Sequence, residues 1–198
     1  MTRRCPAWAP VLVLLLTVAQ LAVAEYVPGI DRFADKAFTA RLIAYPLLML
    51  VVPFLWWVVV KRRHAERRPP YGAFTLVALP FLVDVTGNSL DLFDAVVWWD
   101  DLSHFANWAF LLTGIGLIIC GAVRPRWAVV VLVTGLGAVL ALGWELGEWY
   151  TFIRHGTEID TAYEDTLGDQ TLGTLGALVA GLVVTRVVSR RAPAGQAP

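Results

Sequence analysis

Six stretches of this chain stay apolar for roughly the length a helix needs to cross a bilayer, and no other feature restricts its fold so strongly. They run from Ala7 to Ala24, from about Thr39 to Val60, from Tyr71 to about Leu90, from Trp98 to Ala122, from Trp127 to Tyr150, and from about Leu167 to Val188. In hydrocarbon every backbone N–H and C=O must find an internal partner, so only helices or closed barrels span. The apolar positions here follow a helical period or run without interruption, and strict alternation is absent, which excludes a barrel. Composition agrees: 58% of residues are hydrophobic and 16% charged, with a mean hydropathy of +0.63, against about 25% charged in soluble domains. Pro46, Pro53 and Pro80 fall inside runs, where a membrane tolerates them as bends once neighbours satisfy the freed carbonyls.

These runs predict an all-α polytopic transmembrane helical bundle over residues 25–188, with 189–198 as a flexible cytoplasmic tail. Residues 1–24 fit two readings. Arg3 and Arg4, an apolar stretch, and Ala22-Val23-Ala24 before Glu25 suit a cleavable secretory signal. The length of that stretch also suits a first membrane span. The count is six helices or five, and the chain from Glu25 onward keeps one orientation either way.

Orientation follows from the basic residues, which accumulate in cytoplasmic loops. Arg3, Arg4, Lys61, Arg62, Arg63, Arg67, Arg68, Arg124, Arg126, Arg186, Arg190 and Arg191 make up twelve of the 16, and all fall on one side if six helices alternate. That side is the cytoplasm, with both termini in it. Of the 16 acidic residues only Glu66 shares it. Glu25, Asp31, Asp35, Glu158 and Asp160 simply populate outer loops.

The acidic residues inside the runs need another explanation. Asp84, Asn88 and Asp91 stand at i, i+4 and i+7, so they share a helix face, with Asp94 one turn on. Asp100, His104 and Asn107 repeat that spacing at the head of the next run, and Asp101 lies three before His104. Glu145 and Glu148 share a face near the end of the fifth run, as Asp165 and Asp169 do near the start of the sixth. Four consecutive helices therefore carry a polar stripe at the same, outer end. Each ionisable group at such depth costs a few kcal/mol unless it is paired or faces a cavity. Asp91, Asp94, Asp101 and Glu164 suit solvated helix ends or caps.

One histidine with several carboxylates from facing helices is a donor set for Mg²⁺, Mn²⁺, Zn²⁺ or iron, and bundles present such ligands inward. Asp100, His104, Glu145 and Asp169 are the candidate ligands of a divalent metal cofactor. Without a metal, carboxylates in an apolar setting and a neighbouring histidine suit acid/base work, with His104, Asp100, Glu145 and Glu148 catalytic. Asp84, Asn88, Asn107, Asp165 and Asp169 are the candidate binding residues. No HExxH or paired ExxH motif is present. Ser103 adjoins His104, but helix neighbours point about 100° apart, so the two are no ready Ser-His pair. His64 sits among arginines in a solvated loop, and His155 in an outer one.

Other features are structural. Most of the tryptophans fall where an interfacial belt belongs. Gly173, Ala177, Gly176, Ala180 and Gly181 give the last helix a small-residue face, and Gly135, Gly143 and Gly147 give one to the fifth. Packing of those faces would bring Glu145 and Glu148 near Asp165 and Asp169. Nothing in the pattern points to nucleic acid, and membrane lipids are the evident partners. The basic segment KRRHAERR can attract anionic headgroups, although topology alone accounts for it.

The segments WDDLSHFANW, WELGEWY and DTLGDQTLGTLGAL together resemble the YjdF-type family of bacterial multi-pass membrane proteins over roughly residues 71–185. The resemblance implies a cytoplasmic-membrane location and a site carried by Asp100 and His104, Glu145 and Glu148, and Asp165 and Asp169. Gln170 and Thr171 stand where a further acidic residue is expected. A looser similarity links the chain to VanZ-like membrane proteins. Neither implies a particular reaction. The leading expectation is a membrane-embedded enzyme or binding protein for an envelope lipid or lipid-linked small molecule. A cation- or proton-coupled transporter and an accessory protein with a purely structural polar cluster are the alternatives.

Overall fold

A computed structural model describes residues 5–33, 36–63, 67–151, 153–155 and 160–191. Arg3, Arg4, Asp35, His64, Glu66, Glu158 and the tail from residue 192 lie outside the described residues, as do the side chains of Asp31, His155 and Arg191. The described chain is helical: α1 spans Trp8–Tyr26, α2 Phe38–Arg62, α3 Tyr71–Ser89, α4 Leu92–Ala95, α5 Trp99–Ile119, α6 Arg126–Thr151 and α7 Ala162–Arg191. All but α4 are long and apolar enough to cross a membrane, with a single 3₁₀ turn extending α5 to Ala122. The expected all-α, multi-pass architecture is the observed one.

Two boundaries differ from expectation. α4 was not visible in the sequence because a single turn leaves no periodicity to read. α7 begins at Ala162, one turn ahead of its apolar run. Glu164 and Asp165 lie in its first turn, where carboxylates complement the positive end of the helix dipole. Polar residues thus extend the helix beyond the hydrocarbon. The prolines behave as expected, with Pro46 and Pro53 inside an unbroken α2 and Pro80 inside α3.

The helices form two compact units, residues 1–100 and 101–198, divided in the first turn of α5. In the first, α1 packs chiefly along α3. Val13, Met49 and Ala78 are buried there, with Leu14, Leu79, Phe81 and Leu82 around them. Ile43, Leu47, Phe54 and Leu55 of α2 are exposed, an apolar face that lipid must cover. Gln20 and Thr86 join α1 to α3 through a 3.1 Å hydrogen bond from the threonine hydroxyl.

At the α3–α4 junction Asp91 has a φ of 62°, a left-handed conformation that aspartate tolerates better than most residues. At the head of α4 its carboxylate is partly open to solvent, and it is also paired. The Lys36 ammonium, 2.6 Å from Asp91 and 2.8 Å from Asp94, ties the loop before α2 to α4. Lys36 loses hydration on burial, yet the two carboxylates outweigh that loss and raise its pKa. Asp91 is held below the ordinary carboxylate range, first by the Lys36 hydrogen bond and then by one with Asp94. A depressed acid stabilises above its unfolded pKa, and a raised base stabilises below its own. The latch therefore contributes fully between about pH 4 and pH 10. It weakens as acid protonates Asp91 or alkali discharges Lys36. The protection factors of the residue 91–95 amides, each rate taken against the intrinsic rate at the same pH, should fall below about pH 4 in the parent, and a Lys36→Met variant should show the lower protection already at about pH 7.

The second unit is built on close helix approach. Trp108, Leu112, Val129, Val133, Ala141, Ala177, Ala180, Val184 and Val188 form its core. Along the α6–α7 seam Gly137 faces Ala177 so closely that an added Cβ would collide with the alanine methyl. Gly181 packs on the Val130 backbone, 3.1 Å from where its Cβ would be. Gly173 lies under the Trp108 ring, 2.7 Å from such a Cβ. Gly176 leaves room for the Phe105 backbone carbonyl of α5. In lipid, where apolar burial supplies little drive between helices, such approach supplies the packing.

The small-residue face of α7 is as expected, but that of α6 is not. Gly135, Gly143 and Gly147 face open space, and Gly137 and Ala141 make the seam. The fifth run contains two glycine-bearing faces, and only the partner helix decides between them. Trp108 likewise belongs to the core and not to an interfacial belt, whereas Trp8, Trp57, Trp98, Trp127 and Trp149 are exposed as a belt requires.

Candidate functional site

Counting along the second unit's helices locates the polar residues. His104 lies in the second turn of α5, Glu145 and Glu148 in the last two turns of α6, and Asp169 two turns into α7. The continuation of each helix away from that end carries no charged residue until the segment's other terminus. Gly173 and Gly176 on α7 and Ala141 on α6 stand one or two turns from these groups, so the close seams fix the separation of the polar side chains.

The result is a histidine between carboxylates of two different helices. His104 Nδ1 is 3.9 Å from Glu145 Oε1, and Nε2 is 3.7 Å from Asp169 Oδ1. The exposures of these side chains are 11% for His104, 4% for Glu145 and 6% for Asp169. Glu148 is half-buried beside them. Ligand atoms of His104, Glu145 and Glu148 all lie within 4.8 Å of one another. Asp100, one turn before His104 on the same helix, forms a second such set with His104 and Asp169. A tetrahedral or octahedral ion with bonds of about 2.1 Å spaces its ligands at roughly 3 to 4 Å, so small side-chain shifts turn either set into a coordination shell.

The other candidate residues are placed differently. Asp165 is exposed on the first turn of α7 and joins neither set; the i, i+4 spacing aligns it with Asp169, but it lies beyond the packed part of the helix. Asp101 and Glu164 are exposed helix-end residues, as expected. Asn107, one turn deeper on α5, is half-buried. Gln170, where an acid was expected, serves packing: its Nε2 donates to the Ala138 carbonyl of α6 at 3.0 Å. The amide thereby clamps α7 to α6 beside Asp169.

Asp84 and Asn88 belong to the first unit and to a different arrangement. Arg41 forms an ion pair with Asp84 Oδ2, and the Tyr45 hydroxyl donates to the same oxygen. Asn88 donates from Nδ2 to the Asp84 carbonyl at 3.0 Å and to its Oδ1 at 3.3 Å. Arg41 also stacks over the Tyr45 ring, its Cζ 5.8 Å from the centroid. Sequence reasoning missed Arg41 and Tyr45. The signal was present, since Arg41 is the only charged residue between Thr39 and Val60 and Tyr45 follows it at i+4. An intramembrane arginine demands a partner.

Neither a comparison with curated proteins nor one with solved structures finds a match. A family profile does, over residues 9–190, which takes in all six long helices and every residue of both arrangements. It reaches well beyond the stretch from 71 to 185 on which the motif resemblance rests. A membrane-embedded, multi-pass chain is what the helices and the profile both describe, and it belongs to the family described as Predicted membrane protein (DUF2238).

Proposed function

We propose that the His104 cluster is a divalent-metal centre at the outer face of a bacterial cytoplasmic membrane, serving an enzyme or binding protein for an envelope lipid or lipid-linked molecule. The observation that carries this reading is the imidazole with a buried carboxylate on each ring nitrogen, Glu145 on one and Asp169 on the other. Imidazole and carboxylates suit Zn²⁺, Mn²⁺ or iron. An imidazole gives one nitrogen to an ion, and the carboxylate on its other side then fixes the ring and its tautomer. His104, Glu145 and Glu148 can hold the ion with Asp169 orienting the ring, or Asp100, His104 and Asp169 can hold it with Glu145 in that role. A bound ion supplies Lewis acidity toward a phosphoryl or carbonyl oxygen. Residues left out of the shell are placed to accept or return a proton.

Depth supports this substrate class. His104, Glu145 and Asp169 all lie within about two turns of their helix ends, the level of headgroups and not of acyl chains. Outward orientation follows from the basic loops on the opposite side. A cation- or proton-coupled path would need ionisable groups continuing across the membrane, and α6 carries none from Trp127 to Trp144.

Titration of the detergent-solubilised protein with Zn²⁺, Mn²⁺ or Mg²⁺ tests this reading. Binding to the folded state alone raises Tm by roughly 5–10 °C at a hundredfold excess over Kd. A Glu145→Gln, Asp169→Asn double variant should lose that rise. A parent whose Tm no divalent ion moves, or a variant that responds as the parent does, contradicts it.

A further inference from the structure

The first unit contains a second place where chemistry and shape coincide, at the helix ends opposite Asp84. The start of α1, the later half of α2 and the start of α3 enclose a groove of about 290 Å³. Every lining side chain is apolar or aromatic, among them Leu14, Leu50, Pro53, Trp57, Tyr71 and Phe74. Small or ring-closed residues, Ala7, Pro10 and Ala78, leave the gap that larger side chains would fill.

The mouth of the groove is basic. Lys61, Arg62 and Arg63 follow Trp57 at the end of α2, Arg67 and Arg68 directly precede the lining residue Pro69, and all five are exposed. Lys61 Nζ stands 4.7 Å from the centroid of the Trp57 ring, so the cation and the apolar wall are contiguous. Positive-inside topology explains basic residues in this loop. It does not explain an apolar slot whose lining Trp57 carries Lys61 on its ring. An occupant that matches both is a lipid with an anionic headgroup, since the volume lies near the lower end for ligand cavities and suits one chain better than a whole lipid.

We propose that this groove holds one acyl chain of an anionic glycerophospholipid from the cytoplasmic leaflet, its phosphate against Lys61, Arg62, Arg63, Arg67 and Arg68. Lipid that merely solvates the helices would exchange without regard to headgroup, and a seated lipid is selected by charge and retained.

The test uses the full-length protein in detergent, incubated with equal phosphatidylglycerol and phosphatidylcholine and read by native mass spectrometry. One phosphatidylglycerol per chain is expected, favoured at least fivefold over phosphatidylcholine. A Lys61→Gln, Arg62→Gln, Arg67→Gln, Arg68→Gln variant should bring that preference to unity. Leu50→Trp, which fills the slot and leaves the rim intact, should abolish retention while circular dichroism stays that of the parent. Equal retention of the two lipids by the parent overturns the proposal, as does phosphatidylglycerol binding that Leu50→Trp leaves unchanged.

Discussion

Gly176→Ala is expected to be among the most damaging single-methyl changes in this protein. The new Cβ would fall well inside contact distance of the Phe105 carbonyl oxygen, with the Ala109 amide nitrogen 3.1 Å away. Both obstacles are backbone of α5, so no rotamer change can relieve them. Helices α5 and α7 must separate, and Phe105 directly follows His104 in the chain. Overpacking of a tight core costs about 1–3 kcal/mol, and a backbone clash falls at the upper end. Gly143→Ala is the matched control, because its Cβ meets open space. It should leave stability unchanged or slightly raised, since alanine has less freedom to lose than glycine. Unfolding both variants in mixed micelles by increasing the SDS fraction gives the comparison. Equal midpoints would contradict the close-packed α5–α7 seam.

Arg41→Ala should cost at least as much by a different route. It leaves Asp84 at membrane depth without its cation, and breaking one side of a buried pair costs about 3–5 kcal/mol. Asp84→Asn in the same background removes the stranded charge, so the double variant should recover most of the loss. The Tyr45 hydroxyl can still donate to the amide oxygen. Coupling of about 2 kcal/mol or more in the full double-mutant cycle is the expected result. Additive losses would mean that Arg41 and Asp84 stabilise the first unit independently.

These two sites also mark where sequence reasoning holds and where it stops. Bilayer thickness translates directly into run length, so the six spans and their prolines were legible. Helical spacing put Asp100 with His104 and Glu145 with Glu148, because residues three and four apart share a face whatever the helix packs against. What spacing cannot supply is the partner face. α6 has two stripes of small residues, and the sequence favoured Gly135, Gly143 and Gly147 while the helices meet at Gly137 and Ala141. Asp165 shares a face with Asp169 yet stands beyond the packed region. Asp84 and Asn88 share the outer-end pattern, but Asp84 finds its partners in Arg41 and Tyr45, 43 and 39 positions earlier, while Asn88 bonds Asp84 from the same helix. Long-range pairing of that kind has no local periodicity to announce it.

The proposed metal centre would draw its ligands from α5, α6 and α7. Elemental analysis of the protein purified in detergent, beside a folded His104→Ala, Glu145→Ala variant, tests it most directly. About one divalent ion per chain is expected in the parent and none in the variant, because His104 is common to both ligand sets. Parent protein with no divalent metal, or a variant that retains as much as the parent, would contradict it.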